Sequence, residues 1–136
     1  MQVNRRLVAI LPDACFVIEM PEGELHFFLE FDRGAENLKF FKRKMDAYLT
    51  YFRSGKCNAR YGMDKVRVLT VNEGGQTGVD RRRLVNLRRV TEEMGGRRRF
   101  WFSSLAEIVD KEVLSADIWQ VAGDLRVGIL VPSLSE

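Results

Sequence analysis

Soft metal ligands are scarce in this sequence: its 136 residues hold two cysteines, Cys15 and Cys57, and one histidine, His26. A structural zinc site needs four such ligands, and there is no C-x-x-C spacing, so zinc chemistry is excluded and both cysteines read as free thiols. A disulfide framework is excluded with it. His26, without ligand companions, reads as a half-buried strand histidine. Long apolar runs are also missing, so no segment is of the length that crosses a bilayer and no membrane partner is expected. Met1 to Arg6 show no signal-peptide pattern and lead directly into an apolar run, which makes the expected compartment cytoplasmic. The chain has only three prolines, and Pro12 and Pro21 punctuate its first strands.

What is present describes a globular chain, 46% hydrophobic and 30% charged. A chain of this length buries roughly two-thirds of its unfolded surface, so residues 1–136 are expected to form a single domain. The net charge of +3 is unevenly spread, with Arg81-Arg82-Arg83, Arg88-Arg89 and Arg97-Arg98-Arg99 close together. Such clusters attract phosphate backbones, which makes Arg81, Arg82, Arg88, Arg89, Arg97 and Arg98 candidate nucleic-acid contacts and DNA the expected partner. A solvated helix face is the competing explanation.

The run from His26 to Asp32 is apolar and aromatic but ends in two carboxylates, Glu30 and Asp32. Strand side chains alternate, so both acids point to one face while Leu25, Phe27, Leu29 and Phe31 point to the other. Two adjacent negative charges on a half-buried strand require a cation nearby, whether a metal, a lysine or an arginine. Ala14 to Glu19 reads as the preceding strand, and Pro21 to Glu24 as the turn of a hairpin. A turn centred between Glu22 and Gly23 puts Asp13 opposite Asp32, with Glu30 diagonally across, so three carboxylates converge.

Residues Ala35 to Arg53 show helical spacing, with Leu38, Phe41, Met45, Tyr48, Leu49 and Phe52 on one stripe. Lys44 and Lys42 border this stripe on opposite flanks, and spacing does not choose between them. Lys56 to Asp64 reads as a loop and Lys65 to Asn72 as an interior, parallel strand. The glycine-rich stretch Glu73 to Gly78 lacks the Lys-Ser/Thr ending of a P-loop and reads as a turn. Asp80 to Met94 is a second helix, Arg99 to Phe102 a strand, and Ser103 the expected N-cap of a helix over Leu105 to Asp110. Residues 113–119 are ambiguous, and Leu125 to Val131 are expected as a last edge strand. An earlier apolar run, Leu7 to Leu11, also reads as extended. The order β-β-α-β-α-β indicates an α/β layered fold.

Asp13, Glu30 and Asp32 on neighbouring strands, a lysine on the packing helix and a basic surface are the parts of metal-dependent phosphodiester cleavage. Two carboxylates can hold Mg²⁺, which prefers hard oxygen ligands and activates a water, and a lysine can stabilise the developing charge. The structural alternative is that Asp13 is a turn residue, Glu30 pairs with Lys44, and Asp32 caps the following helix.

Leu11-Pro12-Asp13-Ala14, the run Phe27 to Glu36, Lys44 with Tyr48, Arg67 to Val71, and Phe100-Trp101-Phe102 resemble the replication-relaxation family of bacterial proteins associated with plasmids, phages and other mobile elements. The resemblance spans about residues 11–119. It implies a restriction-endonuclease-like, PD-(D/E)XK-type mixed sheet flanked by helices. It further implies catalytic roles for Asp13, Glu30 and Lys44, Mg²⁺ held by Asp13 and Glu30, and auxiliary roles for Asp32 and Tyr48. Two positions depart from the pattern: Asp32 stands where PD-(D/E)XK enzymes usually carry a strand lysine, and Ala35 stands where the family more often has threonine. The winged-helix DNA-binding domain common in the family has no room here, so a missing N-terminal domain and a homodimer are both open as partners. The expected function is a DNA-binding, nuclease-like domain with Mg²⁺-dependent cleavage. The alternatives are an inactive DNA- or protein-binding module in replication or mobilisation control, and a protein-binding domain using the edge near residues 125–131. Trp101 reads as core, with base stacking as its other use.

Overall fold

Pro21 and Glu22 make the two-residue connection of the first hairpin, because Met20 already pairs with Gly23. Gly23 sits at φ +132°, a conformation that favours glycine, so the chain reverses there. In a computed structural model, which describes residues 10–34, 36–61, 65–74, 78–113, 115–124 and 127–128, this hairpin joins β1 (Ala14–Met20) to β2 (Gly23–Asp32). Ala14 pairs with Leu29 where Phe31 was expected, and this pair ends the ladder; the Asp13 N–H, just before β1, donates to the Leu29 carbonyl at 2.9 Å, so Asp13 is not opposite Asp32. The expected register is corrected by two residues because the turn closes one residue earlier than its centre was placed. Since the pleat repeats every two residues, the faces are unchanged.

After β2 come α1 (Leu38–Arg53), α2 (Lys56–Tyr61), β3 (Val66–Asn72), α3 (Gly78–Glu93), β4 (Phe100–Ser104), α4 (Leu105–Asp110), β5 (Trp119–Val121) and β6 (Val127–Gly128). The strands form one mixed sheet in the order β1-β2-β3-β4-β5-β6, parallel from β2 through β4 and antiparallel at both sides. One face, carrying Phe28, Val68, Phe100 and Phe102, packs on Phe41, Met45, Tyr48 and Leu49 of α1 and Leu84, Leu87 and Val90 of α3. The other face, carrying Phe27, Leu69, Val71, Trp101 and Trp119, packs on Ile108 of α4 and on Ile118. Among the described residues no helix is long and apolar enough to cross a membrane.

Several expectations are corrected. α1 begins at Leu38, where the Asn37 side chain accepts the Phe40 N–H at 2.9 Å, so Asn37 is the cap and Asp32 is not. The expected loop at 56–64 contains α2, whose start is marked by Ser54 Oγ accepting the Lys56 N–H and which is anchored by the fully buried Cys57. Ser104, not Ser103, caps α4, accepting the Glu107 N–H at 3.2 Å; Ser103 lies one residue deeper in β4 and donates to the Ile118 carbonyl at 2.9 Å. The two serines lie on opposite faces of β4, and Ser104, its last residue, is the one placed at the start of α4. Trp101 is buried, with its indole N–H on the Arg98 carbonyl and the Arg67 guanidinium 4.6 Å over its ring. Leu7 to Ala9, Ala35, residues 62–64 and 75–77, and most of 125–131 lie outside the described residues.

Candidate functional site

Asp32, the last residue of β2, is buried. Arg83 Nε donates to its Oδ2 at 3.0 Å and Arg83 Nη2 to its Oδ1 at 2.8 Å, while Asn72 Nδ2, one strand over, donates to Oδ2 at 2.7 Å. Burial works to raise the Asp32 carboxyl, but the Arg83 and Asn72 hydrogen bonds and the guanidinium charge outweigh it and hold the group below the usual aspartate range. Arg83 was not among the candidate site residues. It precedes Leu84 and lies at i,i+4 to the buried Leu87, so it borders the inward stripe of α3 as Lys44 borders that of α1.

Glu30 points to the same face and is 4% exposed. The Tyr48 hydroxyl donates to its Oε2, and Lys44 Nζ stands 3.7 Å from Oε1. Burial drives the Glu30 carboxyl above the ordinary glutamate range; the Tyr48 hydrogen bond and the Lys44 charge oppose the rise without cancelling it, and the Asp13 and Glu36 charges add to it. Burial and the bond to Glu30 also push the Tyr48 phenol far up, so it stays a neutral donor. Lys44 bonds Glu36 Oε2 at 3.0 Å. Burial alone would lower the Lys44 ammonium, but its hydrogen bond to Glu36, with the charges of Glu36, Glu30 and Asp13, holds it above the usual lysine range. Lys42 is exposed, so the choice between the two lysines falls on Lys44. Glu36 links both clusters: its carboxylate takes Lys44, and its carbonyl accepts from Arg83 Nη2 at 2.6 Å.

Asp13 is exposed, just before β1, and its Oδ2 accepts the Phe31 N–H at 2.7 Å. Beside the Glu30 cluster is a cavity of about 240 Å³ walled by Ile10, Leu11, Phe40, Lys44 and Tyr48, with Glu30 in its lining.

These groups can be tested as a Mg²⁺ site. Glu30 Oε1 and Thr70 Oγ1, on register-paired positions of β2 and β3, are buried without a hydrogen-bond partner among the described residues. Against that, the Glu30 oxygen faces the Lys44 ammonium and Asp32 is engaged by Arg83. Among the described residues no group of three or more acidic, histidine or cysteine side chains is placed to hold a metal. As arranged, each buried acid faces a cation supplied by the protein, Lys44 for Glu30 and Arg83 for Asp32.

The arginine candidates do not form one patch. Arg81 and Arg82 are exposed near the start of α3, and Arg97 and Arg98 lie past its other end. Sixteen residues at 1.5 Å each make the helix between them about 24 Å long. Arg88 donates to the Glu92 carboxylate and the Asp124 carbonyl, and Arg89 pairs with Glu93 at 3.8 Å, so both have internal partners.

A family model described as Replication-relaxation matches residues 2–68. The matched stretch contains Asp13, Glu30, Asp32, Lys44 and Tyr48, ends within β3, and is shorter than the span of about 11–119 that resembles the family; Arg83 lies beyond it. No curated protein and no solved structure matches the chain.

Proposed function

We propose that this chain, which belongs over residues 2–68 to the replication-relaxation family, is a nuclease-like domain that binds DNA without cutting it and serves in the replication of plasmids or other mobile elements. The observation that carries this reading is that both buried strand acids already have cations from within the protein, Arg83 for Asp32 and Lys44 for Glu30. A cleavage site needs open carboxylate oxygens to take up a metal. Here one buried carboxylate oxygen is without a hydrogen bond among the described residues, and a lysine stands beside it. The nuclease likeness rests on the family resemblance and on a hairpin followed by a helix and a parallel strand. DNA binding rests on the exposed arginines, outside the matched stretch.

Supercoiled plasmid incubated with the protein and Mg²⁺ or Mn²⁺ tests the reading. Retarded but uncut DNA is expected in every metal. Nicking that requires a divalent ion and disappears in both Glu30→Ala and Lys44→Ala would overturn it and establish metal-dependent cleavage, with Asp13 and Glu30 as the ligands to examine.

A further inference from the structure

The C-terminal ends of α1 and α3 meet at the start of β4, and a cleft of about 380 Å³ opens between them. Phe52 and Phe100 wall it, Arg53, Arg97, Arg98 and Arg99 line it, and no acidic side chain is among its described lining. Guanidiniums stay charged at any working pH, so four in one cleft repel each other unless something negative is shared. Helix carbonyls supply part of this: Arg97 Nη1 donates to the Glu92 carbonyl at 2.8 Å and the Gly96 carbonyl at 2.7 Å, and Arg53 Nη2 to the Met94 carbonyl at 3.5 Å. These bonds use one nitrogen of the Arg97 guanidinium and one of the Arg53 guanidinium, and a guanidinium has five N–H donors.

Two features hold the cleft in shape. Arg99 lies 4.7 Å over the Phe52 ring, which fixes its plane. Gly95, at φ +99°, has no side chain where Arg53 passes; a Cβ there would stand 3.1 Å from Arg53 Nη2. Arg53 joins the cleft from a helix remote in sequence, so the cluster is built by the fold and is not only a basic run.

We infer that this cleft is a phosphate-binding site, occupied by the backbone of DNA. The source of the phosphate rests on the DNA-binding reading above; the chemistry, planar donors that match a phosphate's oxygens, does not. The site is separate from the Glu30 cavity, whose lining shares none of its residues.

Binding of a fluorescent oligonucleotide against salt tests the inference, comparing wild type with the double variant Arg53→Gln, Arg98→Gln, both exposed positions. Lys39→Gln with Lys42→Gln, exposed on α1, removes the same charge elsewhere. The cleft variant should lose about tenfold in affinity and its log–log salt slope should fall by about two, with the lysine control changing less than about threefold. Equal losses in both variants, or none in the cleft variant, would overturn the site. If the wild type binds no DNA, the DNA reading fails by itself. The cleft is then judged by the arginine Nε–H NMR signals during titration with inorganic phosphate. Shifts at Arg53 and Arg98 keep a phosphate site with a free ligand, and unmoved signals overturn it.

Discussion

Arg83 on α3 grips both carboxylate oxygens of Asp32 at the end of β2, at 3.0 and 2.8 Å, and so answers the charge of a buried strand acid. The same guanidinium bonds the Glu36 carbonyl, fastening the entry of α1 to the sheet.

Replacing Arg83 with leucine leaves Asp32 buried without its cation. Such an unpaired charge costs about 3–5 kcal/mol. Urea unfolding should show a loss of that size for Arg83→Leu and a smaller one when Asp32→Asn is added, because the stranded charge is gone. Equal losses in the single and double variants would show that the pair does not act as a unit.

Stability should depend on pH in opposite senses at the two acids. Asp32 is depressed, so its contribution is present above the unfolded aspartate pKa and is lost as pH falls through the lower folded value. Glu30 is raised, so the folded state binds the extra proton, and its contribution shrinks as pH rises from the unfolded glutamate value of about 4.3 through the higher folded one. The difference in unfolding free energy between wild type and Glu30→Gln should therefore fall with rising pH above about 4.3. A difference that is flat or rises there would contradict this.

Tyr48→Phe removes the hydroxyl that donates to Glu30 and keeps the ring packed against Phe28 and Phe52. A buried acceptor left without its donor costs about 1–3 kcal/mol. The Glu30 carboxyl should titrate still higher, which carboxyl-carbon NMR would follow. An unchanged titration would mean that the hydroxyl is not its main support.

Added Mg²⁺ should leave the thermal midpoint of the wild type in place, since a ligand stabilises only what it binds. Lys44→Ala removes the ammonium beside Glu30 Oε1, so this variant should gain stability from Mg²⁺ where the wild type does not. A Mg²⁺-dependent midpoint in the wild type would show that the metal displaces Lys44.

Local pattern was enough to place Glu30 and Asp32 on one face, opposite Phe27 and Phe31, because strand alternation has a period of two and survives even a two-residue error of register. The same holds for the inward stripe of α1 and for Leu84, Leu87 and Val90 of α3, since helical spacing is a property of the chain itself. The need for a cation beside the two acids was equally legible, because burying unbalanced charge is costly in any fold.

Which cation answers each acid was decided only in three dimensions. Lys42 and Lys44 border the stripe of α1 alike, and only the packing of α1 on β2 brings Lys44 to Glu30. Arg83 sits inside an arginine run that reads as surface, and only the docking of α3 on the end of the sheet delivers it to Asp32, fifty-one residues away in sequence. Ser103 and Ser104 offer the same hydroxyl, and the length of β4 selects the cap. Arg53 meets Arg97, Arg98 and Arg99 because two helices end side by side. Periodicity and composition belong to the amino-acid sequence by itself; the choice among chemically equivalent side chains belongs to the tertiary structure, because it depends on distances between segments that no local spacing encodes.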